Sequence, residues 1–438
     1  MTLPIFLKTF RTRFLFSLIV LSIAGGNFQL GVAQPRTITV KSDGEISTLK
    51  QAVALADSGD TILFEKGIYP VHADTISKSL TIDGQGQAIF DIEDKGFGLI
   101  LHGDHITLKN FEIKNSGSGF MEDYAAILAE QSSNIQIKNV TLTNNFFGIF
   151  IAKSETIELS GNRIFSNADR QTTSGNGIHI WYSKNVVVDQ NEITGHRDGI
   201  YLEFVENSMM TGNNVYSNIR YGLHFMYSDS CSYIGNRFKD NVSGVAVMYT
   251  ENVVMSHNRF IQNWGANRYG LLLKEINDSI VEYNLFETNS VGIYSEASNR
   301  IKIERNEFRD NGTALRMMAN GVDNQIRENN FIGNVFEVTT NSRQNPNHYE
   351  GNYWSQYEGY DLNRDGIGDV EYRPVRLFSL LAEKKPLSLI LLRSMMASVL
   401  DTAERVFPVL TPKNLIDPKP SMKPILSLIH ISEPTRPY

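Results

Sequence analysis

The chain has 438 residues, 41% of them hydrophobic and 20% charged, with a single cysteine and a formal net charge of −7. This is the composition of a folded protein. Its acidity argues against a nucleic-acid partner, whose phosphates favour a basic face, and the lone Cys231 excludes an internal disulfide.

At the N-terminus, Lys8, Arg11 and Arg13 precede the apolar run "FLFSLIVLSIAGG", and "GVAQP" follows. That order predicts a secretory signal peptide over residues 1–34, with an apolar stretch too short to favour a membrane span. Its removal takes the net charge to about −10. Next, "STLKQAVALADSGDTILFEKGIYP" predicts a short amphipathic helix over Leu49 to Ala56, a stop at Ser58-Gly59 and then a strand. Such a helix would cap the open apolar end of a solenoid.

From Gly148 the chain repeats. "GIFIA", "GIHIW", "GIYLE", "GLHFM", "GVAVM", "GLLLK" and "GIYSE" begin at Gly148, Gly177, Gly199, Gly222, Gly244, Gly270 and Gly292, with "ALRMM" at Ala314. Most spacings are 22 or 23 residues, with 29 and 26 where the loops "NADRQTTSGN" and "NWGANRY" intrude. Asparagines recur fourteen residues after each glycine, from Asn162 to Asn306. A second series lies five further on, from Asn167 to Asn334, with His196 substituting once. The period predicts an all-β fold, a right-handed parallel β-helix over residues 35–345 with Asn-lined corners.

Side chains alternate faces along a strand. The first and third positions after each glycine are apolar almost throughout, so they face the core. The second and fourth are mixed and face outward, which places His224, Met226 and Met248 on the exterior. Met226 and Met248 share a column on consecutive coils, about 4.8 Å apart at the backbone, and His224 lies about 7 Å along the strand from Met226. Thioether and imidazole together favour a soft ion such as Cu(I). His179, Glu203, Met209 and Met318 are accessory candidates. On spacing alone an apolar patch covered by a loop or partner is the better account of the methionines, and a docking surface that also handles metal is a third reading. Met210, Met255, Met317 and Cys231 fall in inward columns.

After Asn334 the repeat gives way to a C-terminal cap over residues 346–376. There "DLNRDGIGD" sets Asp361, Asn363, Asp365 and Asp369 at calcium-loop spacing with Gly366 at the turn, but Tyr372 replaces the twelfth-position glutamate. Residues 377–424 are expected to form an apolar extension, amphipathic over Leu387 to Val406, that docks on a membrane partner or on the solenoid. Residues 425–438 follow no pattern and are expected not to belong to the natural protein. Outward charges such as Glu203, Lys274, Glu275 and Glu296, and the corner set His196, Arg197 and Asp198, give no carboxylate pair at the 5–10 Å that a glycosidase needs.

The motifs "DGIYLEF", "YGLHFMYSD", "GVAVMYT", "NWGANRYGLLLKEI" and "GNYWSQYEGYDLNRDGIGDVEYRP" resemble the NosD family. The resemblance covers nearly all of the mature chain. It implies an exported, non-enzymatic periplasmic factor that matures the copper sites of nitrous oxide reductase. It also implies partners: an ABC transporter made of a membrane subunit and an ATPase, and a copper chaperone lipoprotein. The "DPHD" motif of the similar alginate epimerases is absent. The rival reading is a carbohydrate-active or carbohydrate-binding β-helix of lyase or epimerase type, with Phe150, Trp181, Tyr201 and Tyr294 stacking on sugar rings. A third is a scaffold that never meets copper.

Overall fold

The structure, a computed structural model, describes residues 34–119, 122–167, 170–266, 268–342, 346–376, 378, 399 and 415–425. The expected signal peptide up to residue 33, the segment Leu387 to Val406 apart from Val399, and residues 426–438 lie outside the described residues. The described residues form an all-β parallel solenoid of about 13 turns with almost no helix. One wall is a twelve-stranded parallel sheet that runs from Asp74–Ile76 to Phe336–Thr339, and twenty-five further strands complete the coils.

The helix spans Leu49–Leu55 and opens with a capping box. Gln51 N–H donates to Thr48 Oγ1 at 3.3 Å, and Thr48 N–H donates to Gln51 Oε1 at 3.1 Å. Two otherwise orphaned donors are thereby satisfied. Leu49 and Ala52 are buried against the first strands, so the helix covers apolar surface at the N-terminal end.

The repeat glycines answer a steric demand. A Cβ on Gly222 would lie 2.6 Å from the carbonyl oxygen of Gly244, and one on Gly148 would lie 2.4 Å from that of Gly177. Successive coils approach too closely at this corner for a side chain. The inward columns close the core as expected: Ile200, Leu223, Val245 and Leu271 are fully buried, as are Leu202, Phe225, Val247 and Leu273. A second inward column stacks Phe260, Phe286, Phe308, Phe331 and Trp354, with ring centroids 4.1–4.9 Å apart.

The asparagines form continuous ladders. Asn191 Oδ1 accepts both the main-chain N–H and the Nδ2 of Asn162 at 2.9 Å, while its own Nδ2 donates to the Leu159 carbonyl at 2.9 Å. The same pattern runs on through Asn213, Asn236, Asn258, Asn284 and Asn306, and then beyond them to Asn329 and Asn352. Each bond contributes about 1 kcal/mol, and a broken buried rung would leave an unsatisfied amide. Asn167 departs from the second series. It is exposed and bonds to Asn144, because the loop that follows carries the chain off the coil path.

The first ladder ends on an aspartate. Asp417, fully buried, accepts from the main-chain N–H groups of Gly351 and Asn352, from Asn352 Nδ2 and from Trp354 Nε1, all at 3.0–3.1 Å. Residues 415–425 also bridge back to the coil end, Ser421 to Tyr353 and Ile367, and Asp417 to Tyr372. Within the expected extension over residues 377–424, the part around Asp417 closes the solenoid.

Candidate metal-binding face

Three adjacent strands carry the candidates: Asp198–Glu203, Tyr221–Met226 and Ser243–Met248. Their register sets Tyr201 beside His224 beside Ala246, and Glu203 beside Met226 beside Met248. Met226 and Met248 are therefore neighbours on consecutive coils.

His224 does not stand in water, however. Its side chain is 5% exposed, packed between Tyr201 (ring centroids 4.7 Å apart) and Tyr221 (4.8 Å). The cause is the column itself. Phe150, His179, Tyr201 and His224 fall one per coil, and their centroids are 4.5, 4.8 and 4.7 Å apart. The inter-strand spacing matches an aromatic stacking distance, so each ring covers the next.

Neither ring nitrogen of His224 makes a hydrogen bond. Nδ1 lies 3.7 Å from Oδ2 of Asp198, beyond hydrogen-bond length. Asp198 is itself fully buried and receives Arg220 through Nε at 2.8 Å and through its second guanidinium nitrogen. Burial alone would raise its pKa, but Arg220 and the His224 ring outweigh burial and hold it at about 2. His179 is also buried without hydrogen bonds at either nitrogen. Burial, followed by the Arg197 charge, pushes its pKa down to about 3.

Met226 and Met248 are half-buried, and the Met226 sulfur lies 3.5 Å from the Tyr201 hydroxyl. Of the accessory candidates only Glu203 adjoins the trio. His179 is separated from His224 by the Tyr201 ring. Met318 lies three coils beyond Met248 with Lys274 and Glu296 between them. Met209 sits on the strand Met209–Thr211, which pairs with Val187 and Ser232 in the other sheet. Among the described residues no three His, Cys, Asp or Glu side chains converge on a metal position, so the candidate site rests on one imidazole and two thioethers. Met210, Met255 and Met317 are core, and Cys231 is buried, its thiol pushed up to about 12 by burial.

The aspartate loop is exposed and tied by its own side chains. Asp361 accepts Asp365 N–H at 3.2 Å and Gly366 N–H at 2.9 Å, and Asp369 Oδ2 accepts Leu362 N–H at 2.7 Å. Gly366 has φ +87°, as the turn requires.

The aromatics expected to be exposed are covered. Tyr201 is buried, while Phe150, Trp181 and Tyr294 are half-buried. More open aromatics lie at the corner that ends each strand: Tyr182, Phe204 and Tyr227 are exposed and Tyr249 is half-buried, all at positive φ. Their recurrence at one offset in four successive repeats is the signal that would have found them.

Comparisons with known proteins bear on this face. A family model described as "Periplasmic copper-binding protein (NosD)" matches residues 165–359, a span that includes all three strands. A "Probable ABC transporter binding protein NosD" of Stutzerimonas stutzeri is 28% identical over 371 residues, covering 80% of this chain and 84% of that protein. The protein of the same name from Pseudomonas aeruginosa is 29% identical over 369 residues, covering 80% and 85%. Among solved structures, the A-module of the Azotobacter vinelandii mannuronan C-5 epimerase AlgE4 is 14% identical with a TM-score of 0.46, covering 67% of this chain and 85% of that one. Residues 165–359 thus match the NosD family model, and the chain is similar over 80% of its length to two proteins of that name.

Proposed function

We propose that this protein is a periplasmic, non-enzymatic accessory factor that accepts Cu(I) on the outer face of its twelve-stranded sheet. It then hands the ion over during maturation of the copper centres of nitrous oxide reductase. The carrying observation is the pairing of a buried His224, whose Nδ1 faces the Asp198 carboxylate at 3.7 Å and whose Nε2 makes no hydrogen bond, with Met226 on its own strand and Met248 across the register. A buried polar group without a partner is costly, and a ligand that bonds it recovers that cost. Imidazole and thioether are soft donors that suit Cu(I) and leave magnesium or calcium without oxygen ligands. The copper-binding description of the matched family and the ABC-transporter name of the relatives support the same reading.

On this reading copper is cargo. It enters from the half-buried methionines, and His224 supplies the nitrogen. Two thioethers and one imidazole hold the ion without a thiolate, which suits a site that must also release. The ABC membrane subunit and its ATPase, the copper chaperone lipoprotein and the apo-reductase are the partners, and part of residues 377–424 would meet the membrane subunit. Among the described residues no helix is long and apolar enough to cross a membrane.

Anaerobic Cu(I) titration of the mature chain against a competing chelator tests the site. His224→Ala, Met226→Ala and Met248→Ala should each weaken binding, and the triple variant should abolish it. Identical curves for wild type and triple variant would remove the proposal.

A further inference from the structure

The corner residues Gln131, Lys153, Tyr182, Phe204, Tyr227 and Tyr249 occupy equivalent positions on successive coils, each in the left-handed backbone region. The same left-handed conformation recurs at corners throughout the solenoid, so it is what the coil requires at these positions. The four aromatics stack, with centroids 4.5, 5.2 and 5.1 Å apart and planes within 23° of parallel. Inside such a stack the ring faces cover one another, so only the end faces remain for a ligand.

At Tyr182 the stack stops, because the two preceding corners carry Lys153 and Gln131. There a cleft of about 550 Å³ opens, lined by Gln131, Lys153, Glu155, Tyr182, Lys184 and Glu206. Tyr182 is 52% exposed, and Trp181 meets it nearly perpendicularly with centroids 4.7 Å apart. Lys184 and Glu155 pair at 2.9 Å, while Lys153 lies over the Trp181 ring at 5.2 Å. Two lysines against two glutamates leave the cleft without net charge.

We infer that this cleft is a saccharide-binding site, separate from the copper face, that takes a neutral pyranose ring against the free face of Tyr182. The ring would occupy the step above Lys153, at the coil spacing, and continue the stack. A pyranose offers an apolar C–H face to the aromatic ring and a rim of hydroxyls that both donate and accept. Glu155 and Glu206 accept from such hydroxyls, and Gln131, Lys153 and Lys184 donate to them. The charge balance disfavours phosphate and polyanionic ligands, which call for an excess of cations. A plain aromatic ring would use the Tyr182 face but leave the paired charges unused.

Trp181 provides the readout. Titration of the mature protein with cellotetraose and with chitotetraose, two neutral oligosaccharides, is expected to give a saturable change in tryptophan fluorescence with at least one of them. Tyr182→Asn removes the ring but suits the left-handed backbone, and it should weaken binding about tenfold. Tyr182→Phe should retain it. Glu155→Gln should weaken it several-fold, and Met226→Ala should leave it unchanged. Absence of saturation with both sugars up to tens of millimolar would overturn the proposal. So would binding that survives in Tyr182→Asn while the melting temperature is intact.

Discussion

The Tyr201 hydroxyl lies 3.5 Å from the thioether sulfur of Met226 on the following coil. A proposed copper ligand is thus already engaged by a neighbour that would compete with the ion. Tyr201→Phe removes the hydroxyl and keeps the ring that covers His224. Cu(I) affinity in the chelator competition should rise about two- to threefold, the equivalent of one weak hydrogen bond. A lower affinity in this variant would show that the hydroxyl assists the site instead.

His196 is the one histidine in an asparagine ladder, and its main-chain N–H donates to Asn218 Oδ1 at 3.1 Å. Its side chain is fully buried, and burial depresses its pKa to about 4. A histidine lowered below its ordinary value near 6.5 stays neutral in the fold, so stability is lost as pH falls from about 6.5 to about 4, by up to about 3 kcal/mol. His196→Asn would restore the rung that Asn218 makes with Asn241. Melting temperatures at pH 7 should then differ by a few degrees at most, while at pH 5 the variant should be clearly the more stable. Parallel pH curves for the two proteins would refute this.

Glu337 is buried on the last strand of the twelve-stranded sheet, where the Tyr372 hydroxyl donates to its Oε2. Burial raises its pKa to about 7, against the opposing effects of Tyr372 and Arg376. A carboxyl raised in the fold binds its proton more tightly when folded, so stability falls as pH rises from about 4.5 to about 7, and the loss persists above that. Glu337→Gln should remove this slope and stabilise the protein at pH 8 by up to about 3 kcal/mol. Denaturant melts at pH 5 and pH 8 measure the difference.

Asp417 receives four donors from the final coil and belongs to a segment 63 residues beyond Trp354. Asp417→Ala would leave the ladder end, the Gly351 N–H and the Trp354 indole without acceptors. A cost of about 2–4 kcal/mol is expected, with earlier hydrogen exchange at Asn352 than at Asn258. Uniform exchange along the ladder would mean that the segment closes nothing.

The loop from Asp361 to Asp369 should bind calcium only weakly, in the range of about 10⁻⁴–10⁻³ M, because Tyr372 stands where a bidentate ligand would be. A few millimolar calcium should raise the melting temperature slightly over that in chelator. Superimposable melts would leave the loop as a turn held by its own side chains, Asp361 and Asp369 among them.

Much of this molecule follows from the sequence alone. A repeat of 22 residues, glycines where coils touch and asparagines at fixed offsets allow only a stacked parallel coil. Two-residue alternation then assigns each side chain to a face, and Leu223 and Phe225, read as inward, are fully buried. These are local rules, and repetition reinforces them. Which outward side chains meet water was decided by tertiary structure. His224 is buried because rings on successive coils lie at their own stacking distance, and Tyr182 is open because its stack ends there. Asp417 was illegible for the same reason: its partners are distant in sequence, and only the closed coil brings a carboxylate to the end of the ladder.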